Sequence, residues 1–363
     1  MGLSIIKPDT RINFIGYRKV AFVLSAVILF LGVGSLLIKG GPSYGIDFSG
    51  GQIVQIKFDS QPEFSVLKDG LEETGLPGLT VQRFGQDADN EYLLRISASE
   101  IPSDTLRDTI NSAIGAALPQ ANHHIQRLEM VGPKVGADLR AKALEALFYA
   151  VLLIAIYISG RFEQRWFASA VMAGGLALGI YLLKLIGVPL GGLILAALAI
   201  TVGLCWKLKL NYALGAVTAL IHDVTITVGV FSLLNKEFDL TIVAALLTII
   251  GYSLNDTIIV FDRIRENIRG KAKQAKRDFA ALLNGSINQT LSRTLLTSGT
   301  TLLVVLCLYL FGGGVIHDFA FALLIGVLVG TYSSVFVAAP ILLGFDPATL
   351  QREPKEEQPE ENA

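Results

Sequence analysis

Asp223 and Asp256 each lie inside a long apolar run, and each has polar neighbours at helical spacing. Asp223 is the thirteenth residue of the run that begins at Asn211, near the midpoint of a membrane-spanning length, with His222 beside it. A carboxylate at that depth costs about 2.5–3.5 kcal/mol to insert. Such a residue belongs to a proton or ion pathway, or fixes helix contacts by accepting from hydroxyls such as Thr227, one turn on. His222 alone is a weaker signal, because one imidazole satisfies itself with a backbone carbonyl.

Asp256 is the better candidate. It follows Ser253 by three residues and Asn255 by one, ahead of a charged collar of Asp262, Arg263, Arg265 and Glu266. At about 1.5 Å per residue the carboxylate lies several ångströms inside Phe261, where partial hydration lets it load and release a proton. Arg293 opens the next apolar stretch, with Thr297 and Thr300 above it as a polar stripe, so Arg293 and Asp256 can share a depth. Protonating Asp256 would then free Arg293 and change helix packing, a charge-driven two-state element. The alternative for Arg293 is snorkelling to headgroups. Ser253, Asn255, Thr297 and His222 are the supporting residues.

The elements that position these residues follow from composition. Of 363 residues 52% are hydrophobic and 17% charged, below the roughly 25% charged of soluble chains, which excludes an ordinary soluble enzyme or a disordered regulator. Apolar windows long enough to cross a bilayer are predicted at 20–38, 143–159, 166–186, 190–206, 211–234, 240–261, 295–312 and 316–344, eight crossings with both termini on one side. The run after Lys7, Arg11, Arg18 and Lys19 has no small-residue cleavage site and reads as an uncleaved first span. From Gly40 to Val135 there are seven basic and thirteen acidic residues, whereas Phe261–Arg277 holds seven basic and two acidic. Basic loops face the cytoplasm, so the acidic block lies outside. Arg161, Arg165, Lys207 and Lys209 fall on the cytoplasmic side by the same count. The polar tail 345–363 reads as disordered and cytoplasmic.

The acidic block, 40–136, alternates strand, helix, strand, strand, helix, strand: Gln52–Phe58, Glu63–Thr74, Leu79–Phe84, Glu91–Ser97, Ser103–Ala117 and His124–Val131. That order is one pattern of the ferredoxin-like split motif, able to bind peptide at an edge or brace a neighbour. The fold class expected is a polytopic all-α membrane protein of eight transmembrane helices with one external α+β ferredoxin-like domain. Cys205 and Cys307 read as small buried hydrophobes, and the four scattered histidines argue against a metal centre. Gly326 and Gly330 form a small-xxx-small face beside Ser333 and Ser334, which serves close packing at least as well as a hinge. No Walker loop, HExxH pair or nucleophile elbow is present, so no enzyme activity or cofactor is expected.

Five segments carry a resemblance to the SecF family, the smaller membrane subunits of bacterial SecD–SecF complexes: Tyr44-Gly-Ile-Asp-Phe-Ser-Gly-Gly51, Val131-Gly-Pro-Lys-Val-Gly136, Ala219-Leu-Ile-His-Asp223, Gly251–Asn267 and Arg293-Thr-Leu-Leu-Thr-Ser-Gly299. Ser49 stands where the family's signature has threonine and keeps the hydroxyl. The resemblance implies a member of the resistance-nodulation-division superfamily in the bacterial cytoplasmic (inner) membrane, with a periplasmic or extracellular domain. It implies use of the proton-motive force in late Sec-dependent export, with coupling residues matching Asp256 and Arg293 and with Asp223 as auxiliary. Asp47, Gly50 and Gly51 would form the joint to the external domain, Asp47 capping backbone amides. The partners implied are a SecD-like subunit, a SecYEG-type channel, YajC, YidC, unfolded preprotein and membrane lipids, with no nucleic acid. The family has six spans; about 40 extra residues, 166–208, add a predicted hairpin of two more, with Lys184 as its internal charge. Half of a proton-coupled small-molecule or lipid transporter of the same superfamily, and a passive scaffold of the translocase, are the alternative functions.

Overall fold

The structure, a computed structural model, describes residues 11–85, 89–97, 101–163, 166–188 and 190–351. Among the described residues six helices are long and apolar enough to cross a membrane, within α1 (Arg18–Lys39), α5 (Pro133–Glu163), α8 (Asn211–Leu233), α9 (Leu240–Gly270), α11 (Phe279–Phe311), which follows the short α10 (Ala272–Arg277), and the last helical unit, Ile316–Gly344. The eight predicted crossings are thus corrected to six. The insert folds as α6 (Trp166–Leu185) and α7 (Leu190–Lys207), packed on each other and on α5 and α8. Its apolar stretches, Ala170–Leu183 and Leu195–Lys207, belong to the 10–17-residue class. Among the described residues neither stretch supplies the roughly 20 consecutive apolar residues that a spanning helix needs. The side chain of Lys184, the N-terminal residues through Thr10 and the tail from Arg352 lie outside what is described.

Several boundaries also move. α11 begins at Phe279, so Arg293 sits in its fifteenth position and not at a helix start. Residues 345–351 are ordered: Leu350 is buried, and Asn211 Nδ2 donates to Thr349 Oγ1 at 3.0 Å. Cys205 is buried against Met172, but Cys307 is exposed on α11. The segment ahead of α1 is pinned to α11, with Ile12 N donating to Asn288 Oδ1 and Ile15 N to Asn284 Oδ1, both at 2.9 Å.

The polar block folds as β1 (Gly51–Phe58), α3 (Phe64–Glu72), β2 (Thr80–Phe84), β3 (Glu91–Ile96), α4 (Ser103–Ala117) and β4 (His123–Val131), preceded by the short turn α2 (Ile46–Ser49). Its sheet is antiparallel in the order β2-β3-β1-β4, the arrangement of the split ferredoxin-like motif. Alternation explains the layering: Val54, Ile56, Phe58, Tyr92, Leu94 and Ile96 point into a core closed by Leu67 and Leu71 of α3 and Leu106, Ile110 and Ile114 of α4. Only Gly132 separates β4 from Pro133, which starts α5, so the domain joins the bundle with a single residue between them.

In the bundle, α8 is surrounded by α1, α5, α7, α9 and α12 (Gly314–Ser333). α1 and α8 cross closely, a Cβ built at Gly32 lying 2.8 Å from Gly229 Cα. That approach brings Ser35 Oγ within 2.8 Å of Ser232 Oγ. Without a water-driven hydrophobic term inside lipid, such backbone proximity supplies the packing that joins helices. Replacing Gly229 by valine is expected to force α1 away and destabilise the bundle by about 1–3 kcal/mol. The check is the thermal unfolding midpoint of detergent-solubilised protein, and an unchanged midpoint would contradict the crossing.

Candidate functional site: two buried carboxylates and a joint

Asp223 and Asp256 are each 1% exposed. Asp223 is satisfied from three helices. Its Oδ1 lies 2.9 Å from His222 Nδ1, and its Oδ2 accepts from Ser253 Oγ of α9 at 2.5 Å and Ser333 Oγ of α12 at 2.8 Å. Thr227, expected to donate to this carboxylate, instead bonds the backbone oxygen of Asp223 at 2.9 Å. A threonine four residues on reaches the carbonyl of its own helix more readily than a side chain aimed at a neighbour. Gly330 makes room for the α9 contact, since a Cβ there would stand 2.9 Å from Ser253 Cβ.

Asp256 has a sparser shell. Ser298 Oγ of α11 donates to its Oδ2 at 3.1 Å, and Thr331 Oγ1 of α12 shares its one hydroxyl proton between Val327 O at 2.7 Å and Ser298 Oγ at 2.8 Å. Arg293 lies within Coulombic reach of Asp256, yet no described hydrogen bond or ion pair joins them, and Arg293 is exposed. The stripe Arg293, Thr297 and Thr300 lies away from the buried face of α11, and both threonines bond backbone carbonyls of their own helix. The inward face carries Thr294, Ser298 and Val305. Asn255 is likewise exposed. The structure therefore gathers Asp223, His222, Ser253 and Asp256, and leaves Arg293, Asn255 and Thr297 outside the hydrogen-bonded network.

The residues missed from sequence are Ser25, Ser298, Thr331 and Tyr332. Thr331, Tyr332 and Ser333 are consecutive and serve both carboxylates: Thr331 through Ser298, Ser333 directly, and Tyr332 through Ser25 to His222. A π-helical turn, Ser334–Ala338, follows at once. Such turns inside helices often mark functional positions, but the turn is visible only in the structure.

At the other end of α9 a joint fastens the sheet domain. Phe238 N donates to Ser43 O at 2.7 Å and Gly45 N to Phe238 O at 3.0 Å, a short parallel pairing next to α2. Asp47 Oδ2 accepts from Leu240 N at 3.1 Å and Asp239 Oδ1 from Ile242 N at 2.9 Å, so two carboxylates cap the N-terminus of α9. Arg95 of β3 ion-pairs with Glu237. Gly50 (φ 74°) and Gly51 (φ 125°) occupy the left-handed region, and a Cβ would stand 2.9 Å from Pro133 Cα and 2.7 Å from Ile96 O respectively. Only glycine fits both demands.

Among the described residues, no group of three or more His, Cys, Asp or Glu could hold a metal ion.

The profile of the protein export membrane protein SecD/SecF C-terminal region matches residues 112–190 and 183–347, two stretches that meet within the insert, and the SecD/SecF GG motif matches 35–62. The chain is 38% identical to the protein translocase subunit SecF of Calditerrivibrio nitroreducens, covering 94% of this chain and 96% of that one. It is 36% identical to the SecF subunit of Escherichia coli O157:H7, over 91% and 87% of the two chains. The crystal structure of SecDF, a translocon-associated membrane protein from Thermus thermophilus, superposes with a TM-score of 0.66 at 30% identity. It covers 95% of this chain, which spans only 39% of that one.

Burial raises the Asp239 carboxyl above the usual carboxylate range; the Ile242 amide opposes this and the neighbouring Asp47 adds to it. A carboxyl that binds its proton more tightly when folded stabilises the fold at low pH, and that contribution is lost as pH rises from the ordinary carboxylate range through the raised value. Asp239→Asn keeps the cap and removes the titration. The thermal midpoint of the variant is therefore expected to vary less with pH across that window than the parent's; equal slopes would contradict the burial of this group.

Proposed function

The chain belongs to the SecD/SecF family of protein export membrane proteins, and from that membership we propose that it couples proton movement at Asp256 to displacement of its sheet domain during export. It acts in Sec-dependent export as a non-catalytic subunit of the inner membrane, with the sheet domain on the periplasmic side. The observation that carries the coupling reading is the position of Asp256 on α9, whose far end is clamped to the sheet domain by Asp47, Phe238 and the Arg95–Glu237 pair. A change in the charge of Asp256 alters what Ser298 and the Coulombic field of Arg293 favour, and α9 carries the resulting shift to the domain that meets the emerging chain.

Arg293 lies on α11, of whose apolar window only 17% is buried. That open face is the proposed contact with a SecD-like subunit, since the fused SecDF chain contains more than twice the length matched here. In that assembly Arg293 would be withdrawn from the surface and its pull on Asp256 strengthened, because a lower dielectric lengthens the reach of charge. A SecYEG-type channel, YajC and YidC are the further partners proposed, on the family resemblance.

Export into inverted vesicles, with and without an imposed proton gradient, tests the coupling. Asp256→Asn is expected to remove the gradient-dependent part of late export by about tenfold or more, the scale of losing one interaction of roughly 1.4 kcal/mol. Equal late export by parent and variant would overturn the reading. The clamp has its own test: Arg95→Glu and Glu237→Arg are each expected to impair export and the double exchange to restore it in part, whereas additive loss would contradict a paired role.

A further inference from the structure

The hydrogen bonds around His222 form a chain whose protons can be counted. Tyr332 Oη lies 2.7 Å from Ala21 O and 3.0 Å from Ser25 Oγ. A carbonyl only accepts, so the single phenolic proton points to Ala21. Ser25 must then give its one hydroxyl proton to Tyr332, which leaves Ser25 Oγ as the acceptor toward His222 Nε2 at 2.9 Å. Nε2 therefore carries hydrogen. The other ring nitrogen, Nδ1, stands 2.9 Å from Asp223 Oδ1. A neutral ring protonated on Nε2 would turn a bare lone pair toward a carboxylate oxygen, so this contact requires a second proton between the two residues.

That second proton has a preferred home. Ser253 donates to Asp223 Oδ2 at 2.5 Å, a length typical of a hydroxyl bound to an ionised carboxylate, and the one Ser333 proton, with Gly330 O at 3.1 Å as its other acceptor, favours the nearer and charged Oδ2 at 2.8 Å. The Tyr332 ring stacks on the imidazole at 6.0 Å with an interplanar angle of 22°, a favourable neighbour for a cation. An imidazolium–carboxylate pair is also neutral overall, which lowers the cost of burying it.

We infer that His222 and Asp223 form a second proton-binding site, holding one shared proton as an imidazolium–carboxylate pair, separate from Asp256. Its role in transport rests on the proton-coupled reading above; its existence does not. Loading adds one proton to imidazole and carboxylate and takes the pair from a charge of −1 to zero; release reverses this. The hydroxyl chain ends at the Ala21 carbonyl, which cannot carry a proton onward, so Tyr332 and Ser25 lock the site and do not conduct through it. While Tyr332 holds Ala21, Ser25 cannot turn to donate to Nε2, and the unloaded pair is left with its repulsive contact. Release is therefore tied to parting of α12 from α1. The route in and out lies on the Asp223 side, where Ser253 precedes Asp256 by one turn and Ser333 follows Thr331 by two residues.

Around the pair, α12 contributes Tyr332 and α9 Asp256 as titratable groups. α1 has no charged side chain between Lys19 and Lys39, Tyr149 and Tyr157 of α5 are exposed, and Cys205 of α7 packs on Met172.

Solid-state ¹⁵N NMR of the full chain, histidine-labelled and reconstituted in lipid vesicles, reads the protonation of each ring nitrogen. At neutral pH the parent is expected to show one histidine with both nitrogens protonated, absent in His222→Gln. Tyr332→Phe frees Ser25 to donate to Nε2, so the imidazolium fraction should fall several-fold in that near-isosteric variant. Asp256→Asn should leave the signal in place, so this result stands apart from any failure of the export experiment. A His222 ring with a single N–H in the parent, an imidazolium unaltered by Tyr332→Phe, or its loss in Asp256→Asn would each overturn the proposal.

Discussion

A carboxylate removed from water has to find its donors in neighbouring helices, and the packing around Asp223 is shaped by that requirement. With 1% of its surface exposed, it draws on His222 of its own helix, Ser253 of α9 and Ser333 of α12, while His222 reaches Ser25 of α1. Four helices are thus tied at one point by groups that cannot be replaced by solvent. Leaving one such polar group unpaired costs about 1–3 kcal/mol, and more when it is charged. Small residues make the geometry possible: Gly330 lets α12 approach Ser253, and Gly32 and Gly229 let α1 lie against α8.

The two carboxylates differ in how firmly they are held. Asp223 receives three side-chain contacts, Asp256 one, from Ser298. The less satisfied group is the better suited to change charge, because fewer bonds have to rearrange. Residues 331–333 touch both shells immediately before a π-helical turn, so a change at either carboxylate is felt by the same stretch of α12. α9 transmits in the other direction. From Leu240 to Asp256 is 16 residues, about 24 Å of helix, with the Asp47 cap at one end and the buried carboxylate of Asp256 at the other.

Much of this was legible in the amino-acid order. The expense of burying charge singled out Asp223 and Asp256, and the succession of apolar patterns over 40–136 gave the order of strands and helices in the sheet domain. The number of crossings was not legible, because a hydropathy window registers apolar composition and not how helices pack, and α6 and α7 lie against each other, α5 and α8. The facing of α11 was not legible either. Arg293, Thr297 and Thr300 form a convincing polar stripe, but a helix with polar residues on two faces does not announce which one is buried, and Ser298, one residue beyond Thr297, holds the inward position. Ser25 and Tyr332 are single polar groups in apolar helices whose meaning depends on partners 307 residues apart in sequence.

The central claim is that charge at Asp256 and position of the sheet domain are two readings of one helix. Its most direct test is a spin-label distance between α4 and the exposed face of α11, measured in vesicles holding the chain with its SecD-like partner, with and without a proton gradient. A gradient-dependent change in that distance in the parent, abolished in Asp256→Asn, is the result expected. The same change in the variant, or none in the parent, would contradict it.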